Sequence, residues 1–130
     1  MDNLVFEKIR KISHESFRHS HHDKSHVERV YNLAVRIAKN ENADLEVVKA
    51  AALLHDISRA LEDEGKIADH AIEGAKVAKK TLEEVGFPEE KATKVIHCIR
   101  VHRFKKGLKA ESLEAKILQD ADRPLLVPLE

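Results

Sequence analysis

Apolar residues recur along this chain at steps of three and four, the spacing that lines up side chains on one face of an α-helix. The pattern predicts a first amphipathic helix over residues 3–19, with Phe6, Ile9 and Phe17 among its apolar positions. The run HHDKS then interrupts it, and Asp23 is a suitable cap for a second helix over 24–41. After NENAD, Asp44 can cap a third over 45–61, which contains the most apolar run of the chain and closes on ALLHDI. EDEGK is polar and predicts a loop. A fourth helix over 68–85 stops at Gly86, and Pro88 sits where a first helical turn tolerates proline. A fifth runs to Lys106 and ends near Gly107, and Ser112 can cap the last one, LEAKILQDAD. The alternation of a half-buried strand is absent throughout. The prediction is all-α: a single helical bundle of about six helices over residues 1–123. The tail 124–130, PLLVPLE, holds two prolines and cannot continue the preceding helix.

The same periodicity places polar groups on inner faces. His26 precedes Val30, Leu33 and Ile37 at helical steps; His55 and Asp56 follow Val48, Ala51 and Ala52; His102 follows Ala92, Val95 and Ile99; Asp122 follows Ala115 and Leu118. An isolated carboxylate in an apolar interior is very costly unless it is paired, hydrogen-bonded or bound to metal. Any one of these histidines could be a core residue bonded to a backbone carbonyl. For the set that account fails, because the two aspartates also need partners and no arginine or lysine of a buried type stands near them in the pattern. A shared cation would satisfy all of them. Nitrogen and oxygen ligands without thiolate suit manganese, ferrous iron, cobalt, nickel, zinc or magnesium, with positions open to water or a substrate oxygen.

Composition narrows the classes further. Lysine plus arginine balances aspartate plus glutamate at 23 each, and no basic stripe with aromatics is present, which argues against a nucleic-acid partner. Cys98 is the single cysteine, so an intrachain disulfide is excluded and a reducing cytosol fits. The N-terminus lacks the apolar core of a signal peptide, and no segment approaches a membrane span. The expected location is the cytoplasm, with no membrane partner. Nine histidines in 130 residues point to metal or acid–base chemistry. Those of the N-terminal region, His14, His19, His21 and His22, are irregularly spaced and read as solvated. Cys98 reads as a small core residue.

The order His26, then His55-Asp56 in tandem, then Asp122, set in HDKSHVERV, AALLHDI and KILQDADR, resembles the H…HD…D signature of the HD superfamily of metal-dependent phosphohydrolases. The similarity covers residues 20–123 and is closest to the small stand-alone branch, some of whose members are nucleotide pyrophosphohydrolases. The resemblance implies one divalent cation held by His26, His55, Asp56 and Asp122, and hydrolysis of a phosphate ester or anhydride, with a nucleotide as the expected small-molecule substrate. It makes His55 and Asp56 the catalytic pair, Asp56 serving as ligand and as acceptor for the attacking water. His70 and His102 are expected to contact phosphate or to hold a second cation, with a purely structural core role as the alternative, and Arg29 to contact phosphate or to form a surface ion pair; Gly74 would allow close packing behind His70. Relatives usually continue with DADRLD and further helices, whereas here Arg123 meets Pro124. The alternative is a catalytically silent metal-binding or nucleotide-sensing domain.

Overall fold

The computed structural model describes residues 2–18, 20–103 and 108–123. These form α1 (Asn3–Ser16), α2 (His21–Glu41), α3 (Leu45–Leu54), α4 (Arg59–Asp63), α5 (His70–Glu84), α6 (Glu89–Arg100) and α7 (Leu113–Asp122), with no strand among the described residues. The all-α expectation holds, with α4 as a short addition to the six helices read from the sequence.

Most starts follow from side-chain caps, which satisfy amide groups that have no partner within the helix. Asp44 accepts from Glu46 and Val47, Asp69 from Ala71, and Ser112 from Ala115. The second helix begins earlier than its sequence suggested. Ser20, not Asp23, is the cap, and Asp23 donates its backbone N–H to the Ser20 hydroxyl. Asp23 thus sits in the first turn, where the helix dipole favours an acidic residue. At the other end Asn42 adopts the left-handed conformation that closes many helices. Gly86 does the same after α5, with φ of 77°.

The most apolar helix is the central one. Val47, Val48 and every residue from Ala50 to Leu54 are buried, and α3 packs against α1, α2, α6 and α7. A helix that is apolar all round belongs inside. Fully burying a leucine such as Leu53 contributes about 2 kcal/mol. In α2 the fully buried row is Val27, Val30, Ala34 and Ala38, while Leu33 and Ile37 are only partly buried. His26 therefore stands at the edge of the buried face rather than at the head of its central row. Among the described residues no helix is long and apolar enough to cross a membrane.

Two predicted helices stop short, and both stops matter for the site. The third was expected to reach residue 61 but ends at Leu54. Tighter turns follow, in which Ile57 donates to Leu54 and Arg59 to Asp56. The polar EDEGK, expected as a loop, contributes its first two residues to α4. The fifth predicted helix ends at Arg100, with Val101 as its cap, instead of continuing to Lys106. The first ends at Ser16 rather than 19, and Arg18 takes a positive φ. Gly107 and the tail 124–130 lie outside the described residues.

Gly74 faces Ile57, Ile99 and the carbonyl of His55. A Cβ built there would meet them at 3.6, 3.8 and 4.0 Å, which is ordinary contact. Close packing therefore does not require glycine at this position. Gly74→Ala is expected to stabilise the protein by about 0.5–1 kcal/mol through helix propensity, read as a melting temperature higher by several degrees. A lower melting temperature would mean that α5 sits tighter against Ile57 and Ile99 than these distances allow.

Candidate metal centre

The early helix stops bring polar side chains together. His55 and Asp56 follow the last residue of α3, His70 opens α5, His102 lies just beyond α6, and Asp122 is the last residue of α7. Of the candidate ligands, His26 alone comes from a helix interior rather than a helix end. Helix ends carry backbone carbonyls with no partner along the helix, and two of the histidines use them. The Nδ1 of His55 donates to the Ala52 carbonyl at 2.6 Å, and the Nδ1 of His102 to the Ile99 carbonyl at 2.6 Å. The Nδ1 of His70 donates to Glu62 Oε1 at 3.1 Å. With Nδ1 turned outward as the donor, each ring directs its Nε2 at the centre, where it can carry a proton or bind a cation.

Asp56 joins two sets of these nitrogens. Its Oδ2 lies 3.5 Å from Nε2 of both His26 and His55. Its Oδ1 lies 3.1 Å from Nε2 of His70 and 3.6 Å from that of His102. Asp122 Oδ1 completes the first set, 2.9 Å from His26 Nε2 and 3.3 Å from His55 Nε2. Every metal-ligating residue expected from the sequence is thus within one cluster. His55, Asp56, His70 and His102 are buried, whereas His26 and Asp122 border the surface at 20% and 19% side-chain exposure.

Charge is organised around the same point. Burial disfavours the charged imidazole of His55, but Asp56 and then Asp122 outweigh it and raise its pKa to about 9. Burial likewise opposes ionisation of Asp56, yet the charge of His55 and the close imidazoles of His102 and His70 hold it well below the usual carboxylate range. Asp122 is also lowered: His26 and His55 overcome its burial. The carboxylates therefore demand positive charge between the rings, from a proton or from a cation.

The residues fit a divalent ion. His55 Nε2 is buried without a hydrogen-bond partner of good geometry, an arrangement that is costly unless something else occupies its lone pair. Donors about 2.1 Å from one ion and at right angles to each other lie about 3 Å apart. The separations of Asp122 Oδ1 and Asp56 Oδ2 from the two nitrogens, 2.9 to 3.5 Å, agree with that spacing. Two triads, His26–His55–Asp56 and Asp56–His70–His102, are compact enough for ions. The histidine–carbonyl bonds expected of separate core residues are present in His55 and His102, but they leave the other ring nitrogen directed at the cluster.

Several further side chains surround the candidate ligands. Arg29, expected at a phosphate or in a surface ion pair, approaches His26 Nδ1 at 3.0 Å through Nη2, beside the candidate ligands. Arg59 brings Nη1 to 3.7 Å from Asp56 Oδ2, and Glu62 and Arg103 bond each other behind His70. The sequence signals Arg59 only by its place three residues after Asp56, and Glu62 only as part of a charged run. His14 is half-buried and lies 2.8 Å from Glu28 instead of being simply solvated. Cys98 is buried, with its thiol pushed up to about 12 by burial, in keeping with a core role.

Comparison with known proteins gives the same frame. The family model described as HD domain matches residues 24–124. An uncharacterized protein, YpgQ of Bacillus subtilis, is 38% identical over 108 residues, covering 80% of this chain and 50% of YpgQ. The chain thus spans about half the length of that relative. A crystal structure of a predicted HD superfamily hydrolase from an uncultured Thermotogales bacterium matches with a TM-score of 0.79 and 39% identity. It covers 89% of this chain and 65% of its own. The crystal structure of Bacillus subtilis YpgQ in complex with ADP matches with a TM-score of 0.64 and 35% identity, over 90% of this chain and 57% of that one.

Proposed function

The chain belongs to the HD domain family, and from that premise we propose that it is a divalent-metal-dependent phosphohydrolase acting on a phosphate ester or anhydride of a nucleotide. The observation that carries the proposal is Asp56, a buried carboxylate whose two oxygens each face a pair of imidazole nitrogens. A bound divalent cation supplies a Lewis acid for the phosphoryl oxygen and a low pKa for an attacking water. His26, His55, Asp56 and Asp122 would hold it. Asp56, held ionised by its surroundings, can accept a hydrogen bond from the attacking water and align it for in-line attack. His55 is fixed through Ala52 and keeps its Nε2 directed at the centre. Arg29 and Arg59 stand at the partly exposed side of the cluster, next to His26 and Asp56, where guanidinium groups can receive the substrate's phosphate oxygens. The nucleotide class is supported by the ADP complex of the relative YpgQ.

A second cation at Asp56, His70 and His102 is favoured by one specific contact. The Nε2 atoms of His70 and His102 lie 3.2 Å apart, although the Nδ1 atom of each ring already faces an acceptor. Two facing lone pairs repel unless a positive species lies between them.

Phosphate release is expected from at least one nucleoside di- or triphosphate in a substrate panel with manganese. It should be lost in EDTA and restored by excess metal. Metal binding without turnover of any panel member would leave the sensor reading in its place.

A further inference from the structure

Glu62 lies in the charged run that the sequence presents as a loop, yet it is turned inward. Its Oε1 accepts three hydrogen bonds: from the His70 backbone N–H at 2.8 Å, from His70 Nδ1 at 3.1 Å, and from Arg103 Nη1 at 2.9 Å. Its side chain is 19% exposed, and that of His70 only 4%. An ionised carboxylate only accepts, so the shared proton belongs to Nδ1 and the lone pair of His70 is left on Nε2, aimed at Asp56 Oδ1. A carboxylate behind a histidine in this way fixes the ring's orientation and increases the basicity of the opposite nitrogen. Helix capping does not account for the arrangement by itself, because Asp69 already caps α5 through Ala71.

We infer that Glu62, anchored by Arg103, is a positioning residue for a cation held by His70, His102 and Asp56. The inference rests on the two-cation reading above. Glu62 acts through His70 and touches neither substrate nor ion. The short helix α4 thereby serves the centre twice, carrying Arg59 to Asp56 at its start and Glu62 to His70 three residues later. Arg103, the residue after His102, ties α4 to the segment following α6, so that both imidazoles of the pair are held from one side.

Titration of the full chain with Mn2+, following the unbound ion by room-temperature EPR, tests this without reference to activity. The parent protein should show two classes of site. Glu62→Ala should weaken one class by about 10- to 100-fold while leaving the other within about twofold, and His70→Ala should weaken the same class. Glu62→Gln keeps an oxygen acceptor for the backbone N–H and for Nδ1 but lacks the charge. It should retain the parent melting temperature, weaken the same class less severely, and reduce the spin-coupled signal of the manganese pair at partial loading. A single class in the parent would overturn the two-cation reading and this inference with it. Two classes that stay unchanged in both Glu62 variants would overturn the inference alone. Equal weakening of both classes with a lower melting temperature would assign Glu62 a merely structural role and also overturn it.

Discussion

Asp56→Ala should eliminate phosphate release and weaken cation binding by more than about a hundredfold, while the far-ultraviolet circular dichroism spectrum stays that of the parent. Losing a second-sphere partner already costs about 10- to 100-fold in metal affinity, and Asp56 is a candidate ligand itself. Its carboxylate lies within 3.7 Å of His26, His55, His70, His102 and Arg59, so one substitution removes an oxygen from both candidate triads. The fold should survive because the apolar core of α3 ends at Leu54. His55 would then lose the neighbour that most opposes its desolvation, and its proton would dissociate more readily instead of remaining as an unpaired buried charge. Asp56→Asn is the closer control: it keeps the shape and one acceptor but removes the charge, and it should lose binding to a similar degree. Isothermal titration with manganese, alongside the phosphate assay, measures both effects. Hydrolysis that persists in Asp56→Ala would place the chemistry elsewhere.

How the centre was foreshadowed in the sequence depends on the helix position of each residue. His26 and Asp122 lie in helices whose extents at those positions agree with the spacing, which brings Asp122 to the inner side and His26 to the edge of the buried face. His55 and His102 were also directed inward, but for an incomplete reason. Both fall just past a helix end, where bonds to Ala52 and Ile99 orient the rings. The spacing rule could not register those stops, because "HDIS" and "RVHR" contain no proline or glycine to mark a break. The sequence predicts Asp23 as the cap of the second helix, yet Ser20 holds that position, because both residue types suit it and only the path of the chain decides between them. Arg59, Glu62 and Arg103 could not be selected at all. In a chain with 35% charged residues, one arginine or glutamate looks like another until tertiary contacts set it behind a ligand. The HD tandem and its ordered partners supplied the chemistry; the turn after Leu54 supplied the two faces of Asp56.

Stripped of metal by EDTA, the protein should lose stability as pH rises from about 6.5 to 9, and manganese should reverse that trend. His55 binds its proton more tightly in the folded chain than in the unfolded one, since its pKa rises from 6.5 to about 9. Its contribution is therefore complete below the unfolded value and is lost as the pH climbs through the folded one, on the order of a few kcal/mol in all. Asp56 and Asp122 are shifted the other way, so their contribution is present above 3.8 and disappears as the pH falls below it. The metal-free protein should consequently be most stable between about pH 4 and 6.5 as far as these groups decide it. A divalent cation bound at His55 Nε2 must displace the proton there, and displacing one proton makes the apparent affinity rise about tenfold per pH unit until the imidazole is deprotonated. Melting temperatures measured at fixed manganese and in EDTA between about pH 6 and 8.5 should therefore diverge as the pH increases. A constant gap across that range would mean that the ion displaces no proton and that His55 is not its ligand.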